Sequence, residues 1–352
     1  RLGGSALAQT LNSLGNESPD MDDPALLRRA FAAVQQLIDQ GLILAGHDRS
    51  DGGLITTVLE MAFAGNCGLE LALQPDTGET DAVPALFAEE LGLVLECRQQ
   101  DLAQVQDILS HAEVDSILFG QTTEEKQISI SFNNESVLNE DMRVLRQEWE
   151  ETGYQLERLQ MNPACADAEK EAIYDRKVPT YHLPFTPEPA PKALLTATNK
   201  PKVAILRDEG SNSDREMSSA FFAAGFEPWD ITMTDLLAGR IDLEGFRGIA
   251  GVGGFSYADV PESAKGWAAT ILFNDRLKKM FDEFYKRPDT FTLGICNGCQ
   301  LFGLLGWVPW QGLEAENQPR FVHNDSGRFE SRWATVKVQE SPSIMLLSLI
   351  HI

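Results

Sequence analysis

The sequence predicts two α/β domains, a mixed α/β domain followed by a doubly wound parallel sheet. Residues 179–201 contain six prolines, a density that excludes regular secondary structure and is typical of an extended linker. Strands and helices are predicted to alternate on both sides of this stretch, and 352 residues are enough for two or three domains. We therefore expect domains at residues 1–160 and 201–352, joined by a Pro-rich linker at residues 161–200.

In the first domain, Asp23 and Pro24 mark a helix start, because Asp is a good N-cap and Pro suits the first helical turn. Gly41 fits the end of this helix, and the apolar run Leu42–Ala45 predicts a buried strand. Patterning predicts further helices at 54–64, 99–109 and 137–159, and strands at 92–97 and 128–132.

The second domain opens with the apolar run Lys202–Arg207, which is typical of a buried parallel strand. Further strands are predicted at 246–252 and 291–295, and helices at 214–224 and 264–284. This alternation implies a parallel sheet with helices on both faces.

The chain is acidic, with 29 Lys and Arg against 53 Asp and Glu and a formal net charge of −24. This balance argues against a nucleic-acid partner and against an anionic membrane surface, since both need clustered basic side chains. A phosphorylated small molecule needs only one local site. The five cysteines are odd in number and irregularly spaced, which indicates reduced thiols and predicts a cytoplasmic protein. Neither a signal peptide nor a membrane-spanning segment is predicted.

The segment Gly294-Ile295-Cys296-Asn297-Gly298 places a cysteine between a predicted strand and a predicted helix. Small residues two positions before and after Cys296 permit the sharp turn that exposes a nucleophile above a parallel sheet. The following helix N-terminus would favour the thiolate, and the N–H after the nucleophile could supply half of an oxyanion hole. The neighbouring strand end, Val252–Tyr257, contains two glycines that let its backbone approach a ligand and could supply the other half.

Each of these patterns also has a simpler interpretation. A cysteine after a strand is more often a small buried side chain than a nucleophile, and two glycines there are more often a plain turn. Cys296 and Cys299 form a Cys-x-x-Cys pair, which is found in redox sites and in halves of zinc sites. No second such pair and no histidine pair lies nearby in the sequence to complete a zinc site.

Four motifs in the second domain together resemble one family. They are Gly210–Met217, Gly253–Asp259, Gly294–Gln300 and Asn324–Glu330. In order and spacing they resemble the class I glutamine amidotransferase domain of the phosphoribosylformylglycinamidine synthase family, over residues 202–340. The resemblance implies an ATP-dependent ligase of purine biosynthesis that converts formylglycinamide ribonucleotide to formylglycinamidine ribonucleotide, with ammonia taken from glutamine.

The resemblance also implies residue roles. Cys296 would attack the side-chain amide of glutamine, forming a thioester and releasing ammonia. Backbone groups of Gly254, Gly298 and Cys299 would hold the oxyanion. The residues implied for the remainder of the oxyanion and glutamine site are Phe255, Gln300, Asn324, Ser326 and Arg328.

This family completes its catalytic triad with a histidine and with a glutamate two residues later, beyond the position of residue 352. None of the chain's five histidines fits that position; they are His47, His111, His182, His323 and His351. Residues 348–352 also differ from the family pattern. We therefore expect the glutaminase domain to be truncated and this chain alone to have little or no glutaminase activity, despite a correctly placed nucleophile.

In the first domain, the loop His47–Gly53 follows a strand and opens a helix. Its backbone N–H groups suit a phosphate and its aspartates suit Mg²⁺, although a capped turn is the more common structure for such a pattern. The loop and Arg1–Ser5 resemble the C-terminal subdomain of the synthase half that is similar to aminoimidazole ribonucleotide synthetase. The resemblance implies a Mg²⁺ ligand at Asp48 and a nucleotide contact at Ser50, with ATP and Mg²⁺ as cofactors.

Three functional hypotheses follow. The chain is a piece of the amidotransferase, with glutamine and formylglycinamide ribonucleotide as substrates of the whole enzyme and upstream synthase domains as missing partners. Alternatively, it is a non-catalytic truncated isoform that acts as a partner. A third alternative is an unrelated Cys-x-x-Cys redox protein, which a Cys296–Cys299 disulfide formed under mild oxidant would favour.

Overall fold

The computed structural model describes residues 1–74, 81–175, 186, 188–314, 316–334, 336–337 and 343–346. The chain divides into two compact units: residues 1–178 with 325–328, and residues 179–324 with 329–352. His182, His351 and residues 348–352 lie outside the described residues, as do three of the six linker prolines.

The first unit is mixed α/β. Its helices are α1 (Ala6–Thr10), α2 (Pro24–Asp39), α3 (Gly53–Gly65), α4 (Ala82–Phe87), α5 (Leu102–His111), α6 (Met142–Gln160) and α7 (Pro163–Glu171). Its strands are β1 (Ile43–Asp48), β2 (Gly68–Leu73), β3 (Leu93–Cys97), β4 (Gly120–Thr123), β5 (Gln127–Phe132) and β6 (Glu135–Asp141). Strands β1 and β3 pair antiparallel, and a separate mixed sheet has the order β4-β2-β5-β6.

The core of this unit fixes the start of α3. Strand β5 buries alternate residues, and its Ile128 and Ile130 pack in one cluster with Val58 and Ala62 of α3. Because the side chains of a strand alternate between its faces, this single row of apolar residues binds the helix to the sheet. The loop between β1 and α3 is thereby held at one end of the helix.

Two predictions for the first unit are wrong. Residues 137–141, predicted as the start of a helix, belong to strand β6, which pairs with β5 through a turn at Asn133 and Asn134. Both asparagines have positive φ, the conformation that a tight hairpin requires. Residues 161–200 are not linker throughout, because α7 lies within them and a short helix, Lys192–Leu195, forms inside the proline-rich stretch that was expected to exclude regular structure. Pro163 occupies the first turn of α7, where proline favours a helix instead of breaking it.

The second unit contains a doubly wound parallel sheet, as predicted. Its helices are α8 (Lys192–Leu195), α9 (Asp214–Ala223), α10 (Met233–Leu237), α11 (Lys265–Leu272), α12 (Asp275–Lys286) and α13 (Asn297–Leu304). Its strands are β7 (Lys202–Arg207), β8 (Ser211–Asn212), β9 (Glu227–Thr232), β10 (Gly248–Gly251), β11 (Gly253–Gly254) and β12 (Phe291–Gly294). The four longer strands are all parallel, in the order β12-β10-β7-β9.

Strand β7 shows why helices cover both faces. Its residues Ala204 and Leu206 pack in one cluster with Trp267 of α11, while Val203 and Ile205 pack in another with Phe221 of α9. All four strand residues are completely buried, as expected for a central strand of a doubly wound sheet. The carboxyl ends of the parallel strands therefore meet at one edge, where ligands bind in this class of sheet.

One predicted helix of the second unit is divided in two. Residues 264–284 form α11 and α12, with a break at Phe273 and Asn274. The Asn274 side chain accepts a hydrogen bond from Leu277 N–H at 3.0 Å and caps the new helix. Strand β9 was not predicted.

Within the described part of the chain, no helix has both the length and the apolar character needed to cross a membrane.

Candidate glutaminase and nucleotide sites

Cys296 lies in a tight turn between β12 and α13; residues 294–298 are called the Cys296 turn below. Cys296 is exposed, and its backbone has φ +52° and ψ −112°, a conformation that residues other than glycine rarely adopt. Main-chain hydrogen bonds hold the turn: Ile295 N–H donates to Gly251 O at 3.0 Å, and Gly298 N–H donates to Ile295 O at 2.9 Å. The turn therefore presents the thiol at the carboxyl edge of the sheet.

The glycines on either side of Cys296 are required by close packing. A Cβ on Gly298 would lie 2.1 Å from the carbonyl oxygen of Gly251, and a Cβ on Gly294 would lie 2.7 Å from that of Gly298. Neither contact involves a flexible side chain that could move away. The small residues that the sequence pattern singled out are thus the ones that allow α13 to begin so close to β10.

Residues 253–257, called the Gly253 loop below, lie beside the Cys296 turn. A Cβ on Gly253 would be 3.3 Å from the Cβ of Cys296. Strand β11 pairs antiparallel with β8, and Phe255 N–H donates to Gly210 O at 2.9 Å. Gly254 has φ +112°, which favours glycine. The first two family motifs therefore pack against each other, and Gly253, the residue before Gly254, lies beside Cys296.

Of the candidate oxyanion donors, the geometry favours the N–H after the nucleophile, which the sequence pattern singled out, over two of the groups that the resemblance implied. The N–H groups of Gly298 and Cys299 already donate to Ile295 O and Cys296 O, at 2.9 and 3.0 Å. Asn297 N–H, in the first turn of α13, makes no hydrogen bond within the described part of the chain. Of these three groups, Asn297 N–H alone is available to an oxyanion without breaking the turn.

The side chain of Asn297 is a feature that the sequence reasoning missed. It is only 2% exposed. Its Oδ1 accepts a hydrogen bond from Ser256 N–H at 3.3 Å, and its Nδ2 donates to Gln300 Oε1 at 3.0 Å. Asn297 thus connects the Gly253 loop to half-buried Gln300. The available signal was a polar residue in the first turn of a helix whose second half, Leu301–Leu304, is apolar.

The second cysteine of the pair has a different environment. Cys299 is partly buried, and this burial, followed by the effect of neighbouring Cys296, raises the pKa of its thiol. Both thiols are free in the structure. No group of three or more His, Cys, Asp or Glu side chains is placed to hold a metal ion among the described residues. The arrangement favours one exposed nucleophile over a zinc or disulfide site.

No described histidine hydrogen-bonds Cys296. His323 is 89% exposed, and its Nε2 lies 3.8 Å from Glu262 Oε2. His47 and His111 belong to the first unit. Within the described residues, the base that a cysteine nucleophile of this kind uses is therefore not in place.

The motif Asn324–Glu330, which the resemblance assigns to the glutamine site, divides between the units. Asn324 belongs to the second unit, while residues 325–328 group with the first. Ser326 is 1% exposed, its Oγ accepts a hydrogen bond from Arg328 N–H at 3.3 Å, and its carbonyl accepts one from Asn162 N–H at 3.0 Å. A glutamine-binding role for Asn324, Ser326 and Arg328 stays a prediction.

In the first unit, the loop before α3 is shaped by two glycines. Gly52 and Gly53 have φ +84° and +75°, and a Cβ on Gly53 would lie 2.7 Å from the carbonyl oxygen of Leu86. His47 and Asp48 are the last residues of β1, although the sequence placed them in the loop. Helix α3 begins without a side-chain cap, so the capped turn that the composition favoured does not form.

The polar groups of this loop have partners both within the loop and outside it. The Ser50 hydroxyl donates to Asp48 Oδ2, and this bond is the main cause that lowers the pKa of Asp48. Glu60 Oε2 lies 2.7 Å from His47 Nε2 and raises the pKa of that imidazole. Gly52 N–H donates to Glu89 Oε1 at 2.8 Å, so a carboxylate already uses one of the loop's donors.

The donor chemistry at Asp48 fits one kind of metal site. One exposed carboxylate beside a hydroxyl does not form a closed protein cage. It does suit Mg²⁺ that arrives on the phosphates of a nucleotide, because Mg²⁺ is commonly held by one or two carboxylates together with phosphate oxygens.

Comparison with known proteins identifies both units. Residues 1–133 match the family model for the C-terminal domain of AIR synthase related proteins, and residues 200–351 match that of the CobB/CobQ-like glutamine amidotransferase domain. A probable phosphoribosylformylglycinamidine synthase of Arabidopsis thaliana, described as chloroplastic/mitochondrial, is 52% identical over 349 residues, 98% of this chain and 25% of that protein. The phosphoribosylformylglycinamidine synthase of Homo sapiens is 49% identical over 360 residues, 98% of this chain and 27% of that protein.

A solved structure of Thermotoga maritima PurL complexed with ATP has a TM-score of 0.34 and 17% identity, covering 36% of this chain and 22% of that one. The chain spans about a quarter of the length of the curated relatives that it matches. With both domain models matched and about half of all residues identical along nearly its whole length, the chain belongs to the phosphoribosylformylglycinamidine synthase family.

Proposed function

We propose that this chain carries the glutaminase nucleophile and a nucleotide-binding subdomain of a ligase that converts formylglycinamide ribonucleotide to formylglycinamidine ribonucleotide. The observation that carries the proposal is Cys296, exposed in a turn that only glycines permit and adjacent to a second glycine loop. This arrangement suits attack on a carboxamide by a thiolate, with main-chain N–H groups around the developing oxyanion.

In the proposed reaction, the Cys296 thiol first loses its proton to a base. Sγ then attacks the side-chain carbonyl carbon of glutamine, and the carbonyl π electrons move onto oxygen. Asn297 N–H and a backbone group of Gly254 stabilise that oxyanion. Collapse of the intermediate re-forms the carbonyl and breaks the carbon–nitrogen bond. Ammonia leaves after its nitrogen gains a proton. Water then hydrolyses the thioester to glutamate and restores the thiol.

Both proton transfers need a base and an acid near Sγ. No described histidine supplies them, because His323 is exposed and faces Glu262. We therefore propose that this chain alone releases little or no ammonia. Phe255, Gln300, Asn324, Ser326 and Arg328 are proposed to bind the glutamine.

The nucleotide site is proposed at the loop before α3. Asp48 would hold a nucleotide-borne Mg²⁺, and Ser50 would contact the nucleotide. When bound, ATP and Mg²⁺ would supply the phosphoryl chemistry of the ligase. The first turn of α3, which lacks a side-chain cap, leaves N–H groups that suit a phosphate. Upstream synthase domains are the proposed partners. A cytoplasmic location also stays a proposal, since the Arabidopsis relative is described as chloroplastic/mitochondrial.

The proposal is tested by measuring the release of ammonia from glutamine by the purified chain, with Cys296→Ser as the matched control. We expect no release above the control. Saturable labelling of Cys296 by the glutamine analogue 6-diazo-5-oxo-L-norleucine, absent in Cys296→Ser, would show that the glutamine site exists without its base. Clear Cys296-dependent ammonia release would mean that a base is present, and absence of saturable labelling would remove the proposed glutamine site.

A further inference from the structure

We propose that Asn297 is a positioning residue for the glutaminase reaction: its side chain holds the Gly253 loop against the Cys296 turn and fixes the orientation of the Gln300 amide. The inference rests on the function proposed for Cys296. Its basis is a buried amide that uses both ends, towards Ser256 on one side and Gln300 on the other.

The hydrogen bond from Ser256 N–H determines the orientation of the Asn297 and Gln300 side-chain amides. A main-chain N–H can only donate, so the Asn297 atom that faces Ser256 N–H must be Oδ1. Nδ2 then faces Gln300, and because Nδ2 can only donate, the Gln300 atom 3.0 Å away must be Oε1. Gln300 Nε2 is left with no hydrogen bond to the described residues. Gln300 therefore offers N–H donors, which suit a carboxylate or carbonyl oxygen of a bound amino acid.

The same contact sets the separation of the two sides of the oxyanion hole. Ser256 follows Gly254 by two residues, and Asn297 carries the available N–H on the other side. Main-chain hydrogen bonds from Phe255 N–H to Gly210 O at 2.9 Å and from Tyr257 N–H to Glu209 O at 3.1 Å hold the loop on one side. Ser256 N–H, between them, donates to Asn297 and joins the loop to the Cys296 turn. A rigid buried amide between the two segments keeps their donors at a constant distance.

Two variants separate the two proposed roles of Asn297, which are to hold the Gly253 loop and to orient the Gln300 amide. Asn297→Asp keeps an acceptor for Ser256 N–H, and the helix N-terminus tolerates its charge. The second oxygen of the introduced carboxylate can only accept a hydrogen bond, so the Gln300 amide must turn to donate its Nε2 to it. Nε2 is then no longer available to a bound ligand. We expect the concentration for half-maximal labelling by 6-diazo-5-oxo-L-norleucine to rise roughly tenfold, with the maximal rate within about twofold. Asn297→Leu removes both contacts and should also lower the maximal labelling rate by at least about tenfold.

Asn274→Asp is the matched control, because Asp caps α12 as well as Asn does and lies outside the proposed site. Labelling is followed on the full chain by intact mass. Iodoacetamide serves as a thiol reagent that needs no glutamine site, and its rate at Cys296 should change less than twofold in Asn297→Asp.

The inference is overturned if wild type labels saturably but Asn297→Asp shows unchanged half-maximal concentration and rate. An equal loss of diazoketone and iodoacetamide reactivity in Asn297→Asp would also overturn it, because that pattern indicates a general structural effect. If wild type reacts with iodoacetamide at Cys296 but never saturably with the diazoketone, the proposed function itself fails.

Discussion

Gly298 packs directly on Gly251, so closely that a Cβ on Gly298 would lie 2.1 Å from the Gly251 carbonyl oxygen. We expect Gly298→Ala to lower the free energy of unfolding by about 1–3 kcal/mol, because backbone must move to make room. It should also slow labelling of Cys296 by displacing the turn. Chemical denaturation and intact-mass labelling measure the two effects.

Gly153→Ala is the control for that substitution. Gly153 lies in α6, and a Cβ there would meet nothing within 4 Å. Alanine should therefore raise the free energy of unfolding by about 0.5–1 kcal/mol. Equal effects of the two substitutions would contradict the steric role of Gly298.

The thiols are expected to react in a defined order. Cys296 is exposed, whereas burial raises the pKa of the Cys299, Cys67 and Cys97 thiols and leaves less thiolate at neutral pH. Substoichiometric iodoacetamide at pH 7.5 should modify Cys296 before these three, as read by peptide mass spectrometry. Faster modification of Cys299, or a Cys296–Cys299 disulfide under mild oxidant, would instead favour the redox hypothesis.

Asp208 should make stability fall as pH rises. Its Oδ1 accepts a hydrogen bond from Glu209 N–H at 2.9 Å, but Oδ2 is buried with no partner at normal hydrogen-bond distance among the described residues. Burial raises the pKa of the carboxyl above its usual 3.8, and it outweighs the opposing interactions with Glu209 N–H and Tyr257. Between the usual and the raised pKa, the folded state binds more protons than the unfolded state, so the free energy of unfolding decreases with pH. Asp208→Asn should remove this slope and stabilise the protein at pH 7. Urea unfolding from pH 4 to 8 tests this; an unchanged slope would contradict it.

Asp141 caps α6 through a 2.8 Å hydrogen bond from Arg143 N–H, and its carboxylate also pairs with the Arg143 guanidinium. Asp141→Ala should cost about 1 kcal/mol of stability. Asp141→Asn, which keeps the cap but loses the exposed ion pair, should cost less than about 0.5 kcal/mol. Thermal unfolding of the two variants measures the difference, and equal losses would assign the effect to the ion pair.

Asp48→Asn should abolish the Mg²⁺-dependent part of ATP binding, because the proposed metal ligand loses its charge. Asp51→Asn is the neighbouring control and should bind as wild type does. Titration calorimetry with ATP, with and without Mg²⁺, provides the measurement. Equal binding by all three proteins would remove Asp48 from the proposed site.

The features that could be predicted from the sequence alone are local. The strand, the cysteine and the helix that follows it are consecutive, and the small residues Gly294 and Gly298 lie within one turn. Their placement could therefore be predicted without knowledge of the fold. The doubly wound sheet also followed from local alternation, because strands separated by helices have few other ways to pair.

Features that depend on distant residues are visible only in the folded chain. Asn297 has its proposed role because of Ser256, 41 positions away, and Gly298 must be small because it packs on Gly251 of β10. Residues 137–141 form a strand because β5 lies beside them to accept the pairing. Helical and extended patterns of such a short segment are similar in sequence, and only the neighbouring strand makes one of them more stable.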